Sequence, residues 1–165
     1  MSMTWSPKIA MTKKEIDTFL AKAKVARVAT LRNDSTIHIT PIWYKWDGAY
    51  FWFILGKGER RRQHITNLRR DPRLSVIIDV DVRAEKRSLK PGAQAVVIRG
   101  KAELFEDEKT QKQFVAKWAK RYFGPAGAKL VDPILQDGKP GMNRVVVKVS
   151  PDKIIAWDFL KLEKS

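Results

Sequence analysis

The sequence predicts an α+β fold: a mostly antiparallel β-barrel of six to seven strands with helices at its margins. Three observations point there. Seven strand-length stretches, at residues 25–32, 37–46, 49–55, 74–80, 94–105, 144–149 and 153–157, are separated by turn or helix signals. Two of them flank Asp47-Gly48, a strong short hairpin signal. Helical periodicity is confined to three places, after Thr12, around residues 59–70 and after Asp107. No internal repeat or linker interrupts the chain, so residues 1–165 read as one domain.

Composition bounds the function. With 165 residues, 44% of them apolar and six tryptophans, the chain can bury one substantial core, which excludes disorder as its main state. A formal net charge of +15 favours an acidic partner: a phosphorylated ligand, a nucleic acid or an anionic surface. The absence of cysteine removes disulfides, zinc–thiolate sites and thiol nucleophiles together. Two histidines without cysteines make no metal site. The start lacks an apolar signal-peptide core, and no apolar run approaches membrane-spanning length, so a soluble cytoplasmic protein without a membrane partner is expected.

Each element has its own reason. Thr12-Lys13-Lys14-Glu15 reads as a capping box, and Ile16, Phe19, Leu20 and Ala23 then share one helical stripe. Residues 25–32 (VARVATLR) form a first strand, returned by Asn33-Asp34-Ser35 into the strand at 37–46. Pro41 has no amide hydrogen, so it needs an edge or a bulge there, and a bulge would aim the backbone of residues 40–43 outward as a ledge. Residues 49–55 are apolar or aromatic and complete the hairpin. Residues 82–92 read as a polar, basic loop, and Asp107 caps a helix whose apolar face carries Phe114, Val115, Trp118, Ala119 and Tyr122. Residues 128–142 read as a loop with at most one helical turn, and Ser150-Pro151-Asp152 splits two closing strands.

The chemistry concentrates after the hairpin. Between Lys57 and Arg73 there are seven Lys or Arg against two acids, in a short helix expected over residues 59–70. On the helical wheel Arg61 falls between Ile65 and Leu68, which turns it toward the protein body near the helix start. An arginine there needs a partner, and an anion would also meet the positive end of the helix dipole. The competing reading is a solvated basic face. His38 lies on the polar side of its strand, and His64 is either a phosphate donor or a helix-flank residue. Gly56-Lys57-Gly58 lacks the ending of a Walker loop, and no Ser–His–Asp arrangement stands out.

The order ARVATLR, HITPIWYKWDG, AYFWF and TNLRRDPRLSV, followed by GKAEL at 100–104 and VSPDKIIAWD at 149–158, resembles the pyridoxamine 5′-phosphate oxidase-like split barrels. The resemblance covers residues 22–158. It implies a homodimer that holds flavin mononucleotide (FMN) at the subunit interface, or a deazaflavin in one branch. It implies that Thr40, Pro41, Ile42 and Trp43 form the ledge under the flavin ring. It places Ile54 and Leu55, with Gly56 and Lys57 following, along the ribityl chain. It assigns Arg60, Arg61, Arg62 and His64 to the phosphate region, and Trp157 to the wall contributed by the other subunit. Three departures stand out. The family's Arg-Lys phosphate pair falls on Gln63-His64, and Leu55-Gly56-Lys57 lacks its small hydroxyl residue. The chain ends eight residues after Trp157, where the true oxidase continues into substrate-binding residues. The expectation is therefore a dimeric flavin-dependent oxidoreductase acting on a small molecule, with no catalytic acid or base assigned and without pyridoxamine phosphate oxidase activity. A deazaflavin reductase on the same fold is the first alternative. A non-enzymatic nucleic-acid-binding module is the second, and tryptophans on strand positions that need burial weigh against it.

Overall fold

The structure is a computed structural model and describes residues 6–22, 25–58, 62–81 and 92–163. Six strands close into one antiparallel barrel: β1 (Val25–Leu31), β2 (Ile37–Trp46), β3 (Phe51–Gly56), β4 (Arg73–Asp81), β5 (Ala93–Phe105) and β6 (Arg144–Asp158). Their order around the barrel is β1-β2-β3-β6-β5-β4. Alternation fills the interior. Ala26 and Val28, Tyr44 and Trp46, Phe51 and Phe53, Val76 and Ile78, and Val145 and Val147 all point inward and are buried.

The local signals place the elements as expected. Helix α1 (Lys13–Lys22) starts on the Thr12 capping box: Glu15 Oε2 accepts from the Thr12 amide at 2.6 Å, and Thr12 Oγ1 accepts from the Glu15 amide at 3.3 Å. In the hairpin, Gly48 takes φ +100° and Asp47 Oδ1 accepts from the Ala49 and Tyr50 amides. These turn bonds delay the second strand to Phe51. Helix α2 (Gln63–Arg70) follows an α-type bond from the Arg62 amide to the Gly58 carbonyl, and its buried side carries His64, Ile65, Asn67 and Leu68. Asp107 caps helix α3 (Glu108–Phe123), accepting from the Thr110 amide at 2.8 Å. Ala23 of the expected stripe, residues 59–61 of the expected basic helix and residues 82–91 of the loop expected at 82–92 lie outside the described residues.

Two expectations are corrected. The two closing strands are one, because β6 runs through Pro151 without a break. Pro151 pairs with Gly100 and Lys153 with Arg99, so a bulge absorbs Asp152. Gly100 permits the close approach, since a Cβ there would stand 2.2 Å from the Ser150 carbonyl oxygen. Pro151 also lies past Val149, the last residue of β6 that β3 pairs, so its missing amide breaks no bond to β3. Residues 128–142 are not a loop: a 3-10 segment, Gly124–Leu130, leads into helix α4 (Val131–Gln136). Pro133 falls in the first turn of α4, where no amide hydrogen is needed, and Leu135 anchors the turn in a second small core with Phe114, Val115, Trp118 and Val146. Of the edge and the bulge open to Pro41, β2 shows no bulge. Its pairing with β1 is continuous from Ile37 to Trp43, with Pro41 opposite Arg27.

Pro41 is tolerated because β2 is an edge there. The β2–β3 ladder spans only Tyr44–Trp46 against Phe51–Phe53, so among the described residues no strand pairs the second side of β2 from Ile37 to Trp43. The barrel is split at this point.

Candidate cofactor cleft

At the mouth of the split, Ile42 and Trp43 of β2 and Ile54 of β3 line a cleft of about 250 Å³. Trp118 and Phe123 of α3, Ile134 of α4 and Arg144 of β6 complete its walls. The aromatic side is stacked in depth. The Trp43 ring lies 4.5 Å from that of Tyr122 with planes 5° apart, and Trp118 and Phe123 flank it at 5.7 and 5.8 Å. Tyr122 is pinned by its hydroxyl, which accepts from the Tyr44 amide and donates to the Tyr44 carbonyl, both at 2.8 Å. Arg144 is held in place by the Ile134 carbonyl at 3.0 Å and by Asp137 at 2.7 Å. The cleft is largely apolar and aromatic, with the Arg144–Asp137 ion pair on its rim. That chemistry suits a planar heteroaromatic ring.

Between β2, β1 and α2 lies a buried polar cluster. His64 is 2% exposed, and both ring nitrogens are engaged: Nδ1 with Thr30 Oγ1 at 2.8 Å and Nε2 with Thr40 Oγ1 at 2.7 Å. Asn67 Nδ2 donates to Thr30 Oγ1 at 2.9 Å, and Gln63 Nε2 donates to Asn67 Oδ1 at 2.8 Å. Burial lowers the His64 pKa to about 4, and the neighbouring His38, with ring centroids 4.4 Å apart, pushes the same way. His38 is itself lowered, by burial first and then by Arg32. The imidazole of His64 is therefore neutral at pH 7.

The remaining positions scatter. Leu55 is buried in the barrel core and Gly56 is buried opposite Arg144. Lys57 pairs with Glu106 at 2.8 Å, which Arg69 also holds, and the two cations keep that carboxyl below its usual range. Arg62 is exposed at the start of α2, and Arg60 and Arg61 lie outside the described residues. Trp157, at the far end of β6, sits half-buried opposite Ala95 and bridges to Ala10. The chain thus joins Thr40 to His64, and Ile42, Trp43 and Ile54 to one another, but leaves Trp157 elsewhere. The α3 aromatics were readable in the sequence only as a core-facing stripe. That they close over Trp43 is long-range information.

Along β2 the outward residues Ile37, Ile39 and Trp43 are 65%, 59% and 43% exposed, and Val25 of β1 continues the patch. Among the described residues no group of acids and histidines could hold a metal ion, and no helix is long and apolar enough to cross a membrane.

The family profile described as pyridoxamine 5′-phosphate oxidase matches residues 12–158. A search of curated proteins found no match. Among solved structures, the conserved hypothetical protein Rv2991 from Mycobacterium tuberculosis is 26% identical, with a TM-score of 0.78 over 96% of this chain and 91% of that one. An F420 reductase is 22% identical, with a TM-score of 0.58 over 84% of this chain and 94% of that one. A FAD-binding protein from Mesorhizobium loti is 16% identical, with a TM-score of 0.60 over 88% and 91%. The last two establish likeness of fold alone.

Proposed function

The chain belongs to the pyridoxamine 5′-phosphate oxidase family, and from that premise we propose that it is a homodimeric flavin-dependent oxidoreductase acting on a small molecule. The observation that carries this reading is the unpaired side of β2 from Ile37 to Trp43, lying beside the aromatic cleft and continuous with an exposed apolar stripe. The cleft holds about 250 Å³, below the roughly 300–1,000 Å³ of enclosed small-molecule pockets. A second copy seated on Ile37, Ile39 and Val25 would supply the missing wall and cover apolar surface that is a liability on a monomer. Trp157 of that copy is the residue proposed to face the ring.

The residues present fit such a group. Ile42, Trp43 and Ile54 would hold the flat ring out of water, and the Arg144 guanidinium, ion-paired with Asp137, would stand at its rim. His64 is not a phosphate ligand in this arrangement, since both its nitrogens are occupied and it is neutral. The phosphate falls to the basic block, of which Arg62 is exposed. A bound flavin would supply hydride or electron transfer. The protein's part is to bind, orient and exclude water.

A deazaflavin is the second reading, supported by the fold shared with an F420 reductase and by the surplus of 33 Lys and Arg over 18 Asp and Glu, which suits a long acidic tail. Equilibrating the purified protein with FMN, riboflavin or F420, then separating free ligand by gel filtration, tests both. Retention of FMN supports the main reading, retention of F420 alone supports the second, and retention of neither overturns both.

A further inference from the structure

We propose that the buried side chains beneath the ledge form a hydrogen-bond relay with a fixed direction, Gln63 to Asn67 to Thr30 to His64 to Thr40. Its last member, the Thr40 hydroxyl, is thereby an obligate outward donor, so the ledge selects a ligand that presents a hydrogen-bond acceptor at that point. The inference rests on the proposed function for the identity of that ligand, but not for the relay itself.

The direction follows from the orientation of the Gln63 and Asn67 amides together with a count of protons. Gln63 Nε2 donates to Asn67 Oδ1, which leaves the Asn67 amide nitrogen to donate to Thr30 Oγ1. Thr30 is 2% exposed, and His64 is its other side-chain partner. Having accepted from Asn67, Thr30 sends its own proton to His64 Nδ1. With Asn67 so oriented, the opposite arrangement would leave a buried hydroxyl proton with no acceptor among the described residues, which proteins avoid. With Nδ1 accepting, the neutral ring carries its proton on Nε2 and donates it to Thr40 Oγ1 at 2.7 Å. Protonating the ring would restore the same orphaned proton at Thr30, and burial opposes it as well.

Thr40 is then left with a hydroxyl proton and no acceptor among the described residues. It is half-buried rather than enclosed, and it stands on the stretch of β2 whose second side no described strand pairs. That proton is available to a molecule lying on the ledge. A carbonyl or bare ring nitrogen of a flavin's pyrimidine end satisfies it, and so does a phosphate oxygen. A hydroxyl oxygen can accept it as well, whereas an N–H group cannot. His64 is accordingly a positioning residue: it acts through Thr40 and touches no ligand.

The relay can be read in the ligand-free wild-type protein, by two-dimensional proton–nitrogen NMR of a sample labelled with ¹⁵N-histidine at neutral pH. The expected spectrum shows His64 as the neutral Nε2–H tautomer. The Nδ1–H tautomer, or an imidazolium, would overturn the relay. The acceptor is tested by titrating riboflavin and FMN into wild type, Thr40→Ser and Thr40→Val. Serine should preserve affinity, and valine should lower it about five- to tenfold, as loss of one hydrogen bond does. Equal losses for both ligands place the acceptor on the ring, and a loss for FMN alone places it on the phosphate. Unchanged affinity of Thr40→Val for both would overturn the donor role. If unmodified protein binds neither flavin, the proposed function fails, while the histidine spectrum still decides the relay.

Discussion

Trp43 and Tyr122 lie face to face, ring centroids 4.5 Å apart and planes 5° from parallel, although one belongs to β2 and the other to the last turn of α3. The stack is locked from behind, because the Tyr122 hydroxyl bonds both the amide and the carbonyl of Tyr44. The proposed ring-binding surface is therefore backed by the protein's own aromatic wall.

Tyr122→Phe keeps the stack and removes the lock. It leaves the Tyr44 amide and carbonyl without the hydroxyl they bond, which should cost about 1–3 kcal/mol. Urea denaturation followed by tryptophan fluorescence should show a lower midpoint. An unchanged midpoint would mean that water replaces the hydroxyl without loss.

Acid should weaken the fold through His64. Its pKa in the folded chain is about 4 against an ordinary value of 6.5, so between those values the unfolded chain binds more protons than the folded one. The stabilisation is complete above pH 6.5 and is lost as the pH falls toward 4. Fully developed, the loss is on the order of 3 kcal/mol. His38 is lowered too and acts in the same direction. Unfolding free energies measured across this range should slope upward with pH, and the slope should shrink in His64→Gln. A flat wild-type profile would contradict a buried, neutral His64.

Gly100→Ala tests the bulge that keeps β6 whole. The added methyl would stand 2.2 Å from the Ser150 carbonyl oxygen, a backbone atom that cannot move alone. A loss of about 1–3 kcal/mol or more is expected, because overpacking against rigid neighbours forces backbone shifts. Denaturant titration measures it, and an alanine variant of wild-type stability would refute the close approach.

Much of the fold was legible because its signals are local. The Thr12 capping box, the Asp47-Gly48 hairpin and the Asp107 cap act within a few residues, and each element starts where they stand. The misreadings had long-range causes. Ser150-Pro151-Asp152 reads as a break until Gly100, some fifty residues earlier, makes room for the strand to pass. Residues 128–142 are rich in Pro and Gly, yet Leu135 finds a core made by α3 and β6. At the site, strand β2 was visible in the sequence, whereas the packing of Trp118, Tyr122 and Phe123 against Trp43 was not. His64 could have been recognised as buried: His64, Ile65, Asn67 and Leu68 have the spacing of one helical face. Its partners, Thr30 and Thr40, lie 34 and 24 residues away, beyond what local spacing shows.

Trp157 separates a shared site from a private one. It is half-buried at the end of β6 that lies away from Arg144 and the cleft, so in a single subunit its loss should leave the cleft intact. Trp157→Ala should weaken flavin binding while changing ligand-free stability little. A loss of roughly 3–5 kcal/mol in the ligand-free protein with normal flavin affinity would make it a packing residue instead.

The most direct test of the account is the flavin-binding stoichiometry of mixed dimers. Trp43→Glu puts a charge on the ledge and Trp157→Ala removes the opposite wall, so each variant alone should bind FMN poorly. Co-refolded in equal amounts, they form heterodimers in which one of the two sites keeps both tryptophans. The account predicts that these heterodimers recover tight binding at one FMN per dimer. Recovery of none, or a wild-type protein that sediments as a 19.0 kDa monomer with FMN bound, would contradict a flavin site shared between two copies.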